Sequence, residues 1–317
     1  MLKNLREVKG IGTKRAAHIT QTLSDLQLSL AEIAAHSADW LRTTFRLPRN
    51  VAEEFASMLH RWFHDPDRAE MAKRNIREIR RGDALYPKRL SQILGDKAPE
   101  VLYVWGNLAL LQRRAVGFCG SRDVSAAGLH LTETIAAAIT HQEWVVVSGH
   151  ARGVDMTAHQ TALEHDGATI IVAAEGILSF KLKVALKQAA KPENLLIVSE
   201  FPPRAGWNVG NAMTRNRTII GLSDVMVLIE SRVEGGTFEA GKAALKLNVP
   251  LFVAPSPSAQ HLAPGNAHFI AHGAKAIEQI DDGLTLSPLL QMVGRRAAKA
   301  KKSPVDGQPV ELQLQLV

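Results

Sequence analysis

The chain has 317 residues, a formal net charge of +7 and one cysteine, Cys119. A single cysteine excludes an intramolecular disulfide and a multi-cysteine metal site, and the chain has no run of about 18 apolar residues, the length that spans a bilayer. The opening MLKNLREVKG lacks the apolar core of a signal peptide, so we expect a cytoplasmic protein without membrane contact. The positive charge favours an anionic partner without identifying it.

Residues 1–64 are predicted to form a small all-α domain, because apolar positions recur there at helical spacing. In VKGIGTKRAAHI, Gly10 and Gly12 flank Ile11 and predict two short helices joined by a tight turn. This stretch resembles the helix-hairpin-helix motif, in which such glycines bring backbone amides close to a DNA phosphate. Lys14 and Arg15 would add positive charge to that contact. The alternative is a hairpin that only packs within the domain.

The rest of the chain divides by composition into three segments. Residues 65–83 are densely charged and are predicted to form a connecting segment, as a solvated helix or linker. Residues 84–285 alternate apolar runs such as VVVS, TIIVAA and DVMVLIE with helical stretches, which predicts βαβ units. Because the runs are apolar at consecutive positions, we expect a doubly wound, mostly parallel Rossmann-like sheet. Residues 286–317 form a basic tail, predicted to be a solvated end, with a phosphate-binding arm as the alternative.

The stretch AVGFCGSRDVSAAG predicts a strand that ends on Gly120, Ser121 and Arg122, followed by a helix that begins near Ser125. Small residues, a hydroxyl and a guanidinium at a helix start are typical of an anion site. The three-glycine spacing that seats a pyrophosphate is absent, so we expect one phosphate and no dinucleotide cofactor.

Three further loops fall at the carboxyl ends of predicted strands, where an open α/β sheet binds its ligands. Their candidate anion-binding residues are Ser148, Gly149 and Arg152; Arg215, Asn216 and Arg217, predicted to precede a short helix; and Gly235, Gly236 and Thr237. Each loop alone is a weak signal, and their convergence on one rim is the informative feature. Alternatively, the arginines are neutralised by Glu200, Asp224 or Glu230. Asp155 is predicted to cap a helix or pair with an arginine, and with His159 it forms no convincing metal or catalytic site.

These motifs, in this order, resemble the DprA/Smf family of DNA-processing proteins over about residues 85–278. The resemblance rests on LYPKRLSQI, GSR, SGHARGVD, SEFPP, RNRTIIGLSD and FVAPSPS. It implies a Rossmann-like domain that binds single-stranded DNA at the GSR loop, forms a homodimer and helps to load a RecA-type recombinase in natural transformation, without a cofactor, a metal or chemistry on the DNA. By this resemblance Ser121 and Arg122 would hold a phosphate, and Gly120, Gly149 and Arg152 would shape the pocket.

The sequence departs from the family after the run TIIVAA, where it reads EGILSFKLKVALKQAA. Lys181, Lys183 and Lys187 are candidate backbone contacts there, and Phe180 could stack on a base. The winged-helix-like domain found at the carboxyl end of many members is missing or reduced to the basic tail. The segment EGGTFEAG is similar to a motif of nucleoside-monophosphate phosphoribohydrolases. The alternative function is therefore an enzyme of that class, with Glu230 or Glu239 as the catalytic carboxylate, or a sensor of a nucleotide signal. A third possible class is a protein that only mediates interactions within a larger assembly.

Overall fold

The computed structural model describes Leu5 and residues 8–255, 263–280 and 283–301. Its backbone contacts divide the chain into two compact units, Met1–Asn75 and Ile76–Val317. The division falls inside the charged segment predicted to connect two domains. Among the described residues, no helix combines the length and the apolar character that crossing a membrane requires.

The described part of the first unit is helical. Its helices are α1 (Thr13–Asp25), α2 (Leu30–Ile33), α3 (Ala38–Thr44), α4 (Arg49–Phe63) and α5 (Pro66–Lys73). Gly10 has a φ of +95°, and a Cβ at this position would lie 2.6 Å from Val51 Cγ2, so the predicted glycine turn packs closely against α4. Gly12 precedes α1, while Lys14 and Arg15 are exposed in its first turn and Arg15 Nη1 donates to Gly10 O at 2.6 Å. The first helix predicted for this hairpin falls on residues before Val8, of which the structure describes only Leu5.

The second unit alternates strands and helices. In chain order these are β1 (Arg77–Arg80), α6 (Lys88–Leu94), β2 (Val101–Gly106), β3 (Ala115–Gly120), α7 (Ala126–His141), β4 (Val145–Ser148), α8 (Val154–Glu164), β5 (Ala168–Val172), α9 (Val184–Lys187), β6 (Leu195–Ser199), α10 (Val209–Leu222), β7 (Val225–Ile229), α11 (Gly236–Lys246), β8 (Leu251–Val253), α12 (Pro264–Ala271), β9 (Lys275–Ala276), β10 (Glu278–Ile280), β11 (Gly283–Thr285) and α13 (Ser287–Lys301).

The first nine strands form one sheet in the order β1-β2-β6-β5-β4-β3-β7-β8-β9. The strands from β6 to β9 in that order pair in parallel, whereas β1 with β2 and β2 with β6 pair antiparallel. The predicted α/β, doubly wound, mostly parallel fold is therefore confirmed. From β3 the chain runs outward through β4, β5 and β6 on one side and then returns to β7 on the other side of β3, which makes a switch point of the kind where such sheets bind ligands.

Helices cover the sheet on both faces. Val116 and Phe118 of β3 are buried with Ile135 of α7 and Ala158 of α8 in one apolar cluster. Leu228 of β7 belongs to a second cluster, which contains residues from α6, α10 and α11. The burial of strands on both faces explains why their sequences are apolar at consecutive positions.

Two elements differ from what the charge pattern predicted. β1, with the sequence REIR, lies in the segment predicted as a connection; Ile79 is its one fully buried side chain, and Arg80 pairs with Glu78 at 2.7 Å. The basic tail predicted from residue 286 begins as α13, where Leu289 and Val293 are buried in the core. β1 is an edge strand with one buried apolar residue, and in α13 the buried residues are followed by a basic run that begins at Arg295, so charged side chains dominate the sequence pattern of both elements.

Candidate functional site

Two adjoining cavities open at the switch point, beside the carboxyl ends of β3, β4 and β7. The first has a volume of about 390 Å³ and is lined by the residues after β3 and β7 and by the start of α10 and α11. The second has a volume of about 310 Å³ and is lined by the residues after β4 and β5. They share a wall formed by Arg122, Ala151, Trp207 and Arg215.

Arg215 is a buried cation in that wall. Its residue is only 7% exposed, and its Nη1 lies 3.9 Å from Asp155 Oδ2. Its Nε has no hydrogen-bond partner among the described residues. Burial lowers the pKa of Arg215 from its ordinary value and Asp155 opposes this shift, yet a guanidinium remains charged in proteins. A buried charge with so few partners is costly, so an anion bound against this guanidinium would compensate it.

Gly149 makes room for this guanidinium. A Cβ at Gly149 would lie 1.7 Å from Arg215 Nη1, so a side chain and the guanidinium cannot both keep their positions. Asp155 is fixed on the other side, where Ala151 N donates to its Oδ2 at 3.1 Å and Ser148 Oγ lies 2.8 Å from its Oδ1. Ser148 is fully buried, and its hydroxyl also lies 2.8 Å from Phe118 O. The structure thus places Ser148 behind the cavity wall, where it positions Asp155.

Three further cations surround the second cavity. Arg122 is exposed at the turn after β3, and its Cζ lies 5.9 Å from the centre of the Trp207 ring. Arg152 forms an exposed ion pair with Asp123. Lys183 Nζ donates to His150 O at 2.8 Å, and burial lowers the pKa of Lys183. Glu175 is the carboxylate residue in the lining of this cavity, so the net charge of the lining is positive.

The Gly-Ser-Arg turn is shaped by close backbone packing. A Cβ at Gly120 would lie 2.6 Å from Ile229 O and 2.4 Å from Val154 Cγ2. The hydroxyl of Thr237 donates to Gly120 O at 2.9 Å, and Asp123 N donates to Ser121 Oγ at 3.1 Å. Side-chain and backbone bonds therefore hold the turn in place at the mouth of the first cavity.

The amino end of α7 is occupied by the protein itself, which corrects the expectation that its amides face an external anion. Ser125 caps the helix by accepting from Gly128 N at 3.0 Å. The Glu230 carboxylate accepts from Ser125 N at 2.9 Å and from its hydroxyl. An acidic side chain is favourable at a helix amino end, so Glu230 fills the position that an anion would take.

The amino end of α11, in contrast, opens into the first cavity. Gly235 precedes the helix with a φ of +92° and provides no side-chain cap. Gly235, Gly236 and Thr237 all line the cavity, as predicted for one rim, together with Asn216, whose Nδ2 lies 3.5 Å from Gly236 O. This wall offers backbone amides beside the cations of the shared wall.

The arginine cluster was predicted before a short helix, but it lies within α10. Asn208 caps this helix by accepting from Asn211 N at 2.7 Å, seven residues before Arg215. Successive helical residues point in different directions, so Arg215 faces the cavities and Arg217 is exposed, outside the lining of either cavity. Lys181 is also exposed outside this lining, and Phe180 packs against His150 with ring centres 4.7 Å apart.

Sequence reasoning missed Trp207 and His150. Trp207 lines both cavities and is 53% exposed. His150 lines the second cavity, its Nε2 is buried without a partner among the described residues, and burial lowers its pKa to about 3. The one available signal for Trp207 was an aromatic residue in the Pro-rich exit from β6.

His159 is a structural histidine. It is fully buried, its Nδ1 lies 2.6 Å from Thr169 Oγ1 and its Nε2 lies 2.6 Å from Gly149 O. Among the described residues, no cluster of histidine, cysteine or acidic side chains could hold a metal ion. Burial lowers the pKa of His159 to about 4.

This shift predicts acid lability. His159 is protonated below about pH 6.5 in the unfolded chain but only below about pH 4 in the folded protein. Between these values the unfolded chain binds more protons, so the free energy of unfolding falls as pH falls. We expect His159 to account for a loss of roughly 2 kcal/mol between pH 7.5 and pH 5. Urea denaturation at both pH values measures it, with His159→Gln as the variant in which the loss shrinks. An equal loss in both proteins would contradict this assignment.

The two carboxylates considered for an enzyme differ in position. Glu230 lines the first cavity, but its oxygens are engaged by Ser125. Glu239 is paired with Lys242 at 2.9 Å and lies outside the lining of both cavities. Asp224 pairs with Arg89 at 2.8 Å, and Glu200 accepts from Thr218 Oγ1 at 2.6 Å, with its pKa raised by burial. Among the described residues, none of Glu200, Asp224 and Glu230 forms a direct ion pair with an arginine of the cavities, although the charges of Arg215 and Arg217 act on Glu200; Asp155 is the acid that pairs with Arg215.

Comparison with known proteins gives a consistent picture. A family model described as DNA recombination-mediator protein A matches residues 77–287. The DNA processing protein DprA of Bacillus subtilis is 28% identical over 236 residues, which span 74% of this chain and 77% of that protein. The crystal structure of DprA from Streptococcus pneumoniae superposes with a TM-score of 0.59 at 26% identity and covers 87% of this chain and 93% of its own.

A second similar structure carries information on a ligand. DNA processing protein A from Helicobacter pylori superposes with a TM-score of 0.57 at 25% identity, covering 71% of this chain and 96% of its own. That structure concerns the single-stranded DNA binding mode of the Helicobacter pylori protein.

Proposed function

Because the chain belongs to the DNA recombination-mediator protein A family, we propose that it binds the backbone of single-stranded DNA at the two cavities of the switch point. The observation that carries this proposal is the buried Arg215 guanidinium, whose Nε has no partner among the described residues. A phosphate oxygen would supply the charge-assisted hydrogen bonds that Asp155, at 3.9 Å, does not complete. The comparisons confirm the resemblance to DprA/Smf proteins. We propose the DNA-binding role for this chain on that basis.

Charge and shape both support a single strand as the ligand. The second cavity combines four cationic side chains, of Arg122, Arg152, Lys183 and Arg215, with the carboxylate of Glu175. Its volume of about 310 Å³ admits a phosphate and its sugar but not a duplex. Contacts to the backbone carry no sequence information, so we expect little sequence preference.

The remaining predicted residues have peripheral roles in this proposal. Ser121 and the amides at Gly235, Gly236 and Thr237 would bind a phosphate next to the one at Arg215. Lys181 and Phe180 would flank the strand where it leaves the second cavity. In the first unit, Gly10, Gly12, Lys14 and Arg15 would make a separate backbone contact.

We predict that Arg122→Ala weakens binding to a labelled oligothymidylate by about 10-fold, because it removes one charge-assisted hydrogen bond worth ~1.5 kcal/mol. The slope of log affinity against log salt should decrease in magnitude by about 1, since one fewer phosphate is neutralised. Fluorescence anisotropy over a series of salt concentrations measures both quantities.

Arg217→Ala is the matched control, because it removes the same charge from an exposed position outside the lining of either cavity. Screening should hold its effect to roughly 2-fold. Negligible binding by the wild-type protein at low salt, or equal losses in the two variants, would contradict a strand seated in the cavities.

We further propose that the protein works in the cytoplasm as a homodimer and passes the bound strand to a RecA-type recombinase during natural transformation or recombination. The description of the matching family as recombination mediators supports this role. Light scattering tests the dimer. A strand-exchange assay tests the transfer of the strand to the recombinase. In this assay the wild-type protein should accelerate recombinase loading and Arg122→Ala should not.

We propose a non-enzymatic role over the phosphoribohydrolase alternative. A glycosidase needs a carboxylate that is free to act on the substrate. Glu230 is bound to the amino end of α7 and Glu239 is paired with Lys242. Incubation with nucleoside monophosphates should therefore release no base, and measurable release would favour the enzyme.

A further inference from the structure

The indole of Trp207 is the largest exposed apolar surface in the wall shared by the two cavities. It is 53% exposed, and its neighbour Val209, in the lining of the first cavity, is 66% exposed. Exposed apolar surface that borders a binding cavity is a common mark of a ligand contact. The ring therefore requires an explanation beyond packing.

The loop that carries Trp207 is held by hydrogen bonds to the residues that precede the ring. Ala205 N donates to Pro202 O at 2.8 Å, and Gly176 N donates to Ala205 O at 2.8 Å. Asn211 Nδ2 donates to Gly206 O at 3.3 Å. A Cβ at Gly176 would lie 2.1 Å from Pro202 O, which shows how closely this loop packs against the loop after β5. The ring is thus presented from a fixed backbone, and binding on it would cost little ordering.

The position of the ring fits a nucleobase. Arg122 Cζ lies 5.9 Å from the ring centre, and Arg122 and Arg215 line the same wall. The base of a strand lies one sugar away from its phosphate, so a phosphate bound by these arginines would bring a base within reach of the exposed indole. Aromatic side chains stack on every base, because each base has a π face.

We propose that Trp207 is a stacking surface for an unpaired base of the bound strand and that it makes the site discriminate single strands from duplex DNA. Bases in a duplex are already stacked on both faces, so they cannot use this surface without distortion. The inference rests on the proposed function and adds a specificity-determining residue to it.

The experiment compares three ligands of equal length: oligothymidylate, an abasic deoxyribose-phosphate oligomer and a blunt duplex. We expect the wild-type protein to bind oligothymidylate about 5-fold or more tightly than the abasic oligomer. Trp207→Leu should lose this difference and bind the two single-stranded ligands alike, with an unchanged salt slope, whereas Trp207→Phe should retain most of it. The wild-type protein should bind the duplex more weakly than oligothymidylate, and Trp207→Leu should reduce this preference; an unreduced preference would contradict the role of Trp207 in discrimination. Trp105→Leu is the control, because Trp105 is 39% exposed on β2, outside the lining of both cavities, and should not alter the difference.

The outcomes separate the inference from the proposed function. If the wild-type protein binds no single-stranded ligand at low salt, both fail. If it binds the abasic oligomer as tightly as oligothymidylate, or if Trp207→Leu weakens both ligands equally, backbone binding stands and the stacking role fails. Quenching of the intrinsic fluorescence by oligothymidylate that is lost in Trp207→Phe would support stacking, and quenching that persists would contradict it.

Discussion

Gly149→Ala is expected to weaken binding to single-stranded DNA by about 10- to 100-fold, the range for losing a charge-assisted hydrogen bond or two. The added Cβ would lie 1.7 Å from Arg215 Nη1 and 2.4 Å from its Cζ, so the guanidinium must leave its position. Gly149 does not have a positive φ that would itself strain a side chain, so the effect is steric. We expect a loss of about 1–3 kcal/mol in stability from overpacking, measured by denaturation.

A double-mutant cycle tests whether this effect passes through Arg215. Arg215→Ala vacates the space, so adding Gly149→Ala to it should change the affinity little further. Gly206→Ala is the control glycine, because no heavy atom of the described residues would lie within 4 Å of the new Cβ, and it should bind like the wild type. Additive losses in the cycle would show that Gly149 does not act through the guanidinium.

The parallel core of the fold was readable from the sequence because its strands are covered on both faces. All residues of β4, β5 and β7 are buried, and this burial favours apolar side chains at consecutive positions; the exceptions, Ser148 and Thr169, are hydrogen-bonded. β1 could not be recognised, because an edge strand with one buried residue, Ile79, carries almost no periodicity. β9 is only two residues long, and both are exposed.

The candidate site was predictable in its location and only partly in its geometry. Loops at the carboxyl ends of parallel strands must meet, so the convergence of Arg122, Gly149 and Gly235 followed from the strand assignments. The separation of Arg215 from Arg217 did not follow, because it depends on α10 beginning at Val209. Trp207 and His150 were missed since nothing in a single loop sequence shows which side chains a neighbouring loop will meet.

The position of Asp224 could not be read from the sequence either. The sequence offered it as a neutraliser of the site arginines, but Arg89 Nη2 pairs with Asp224 Oδ2 at 2.8 Å, and Arg89 Nη1 donates to Leu222 O at 2.7 Å. Ala115 N also donates to Asp224 Oδ2 at 2.9 Å. This cluster ties α6 to the amino ends of β3 and β7, at the opposite edge of the sheet from the cavities.

Arg89→Ala is therefore expected to lower the free energy of unfolding by about 3 kcal/mol, because it removes the guanidinium that pairs at 2.8 Å with the Asp224 carboxylate, which is only 4% exposed. The melting temperature should fall by roughly 10 °C for a unit of this size. Lys88→Ala, an exposed neighbour on the same helix, should stay within about 0.5 kcal/mol of the wild type. Below its lowered melting temperature, Arg89→Ala should bind oligothymidylate with unchanged affinity, since the cation cluster around Arg215 lies at the other ends of the strands. If Arg89→Ala were as stable as the wild type, solvent would already compensate the Asp224 carboxylate. If the folded variant bound DNA more weakly, the two ends of the strands would be coupled.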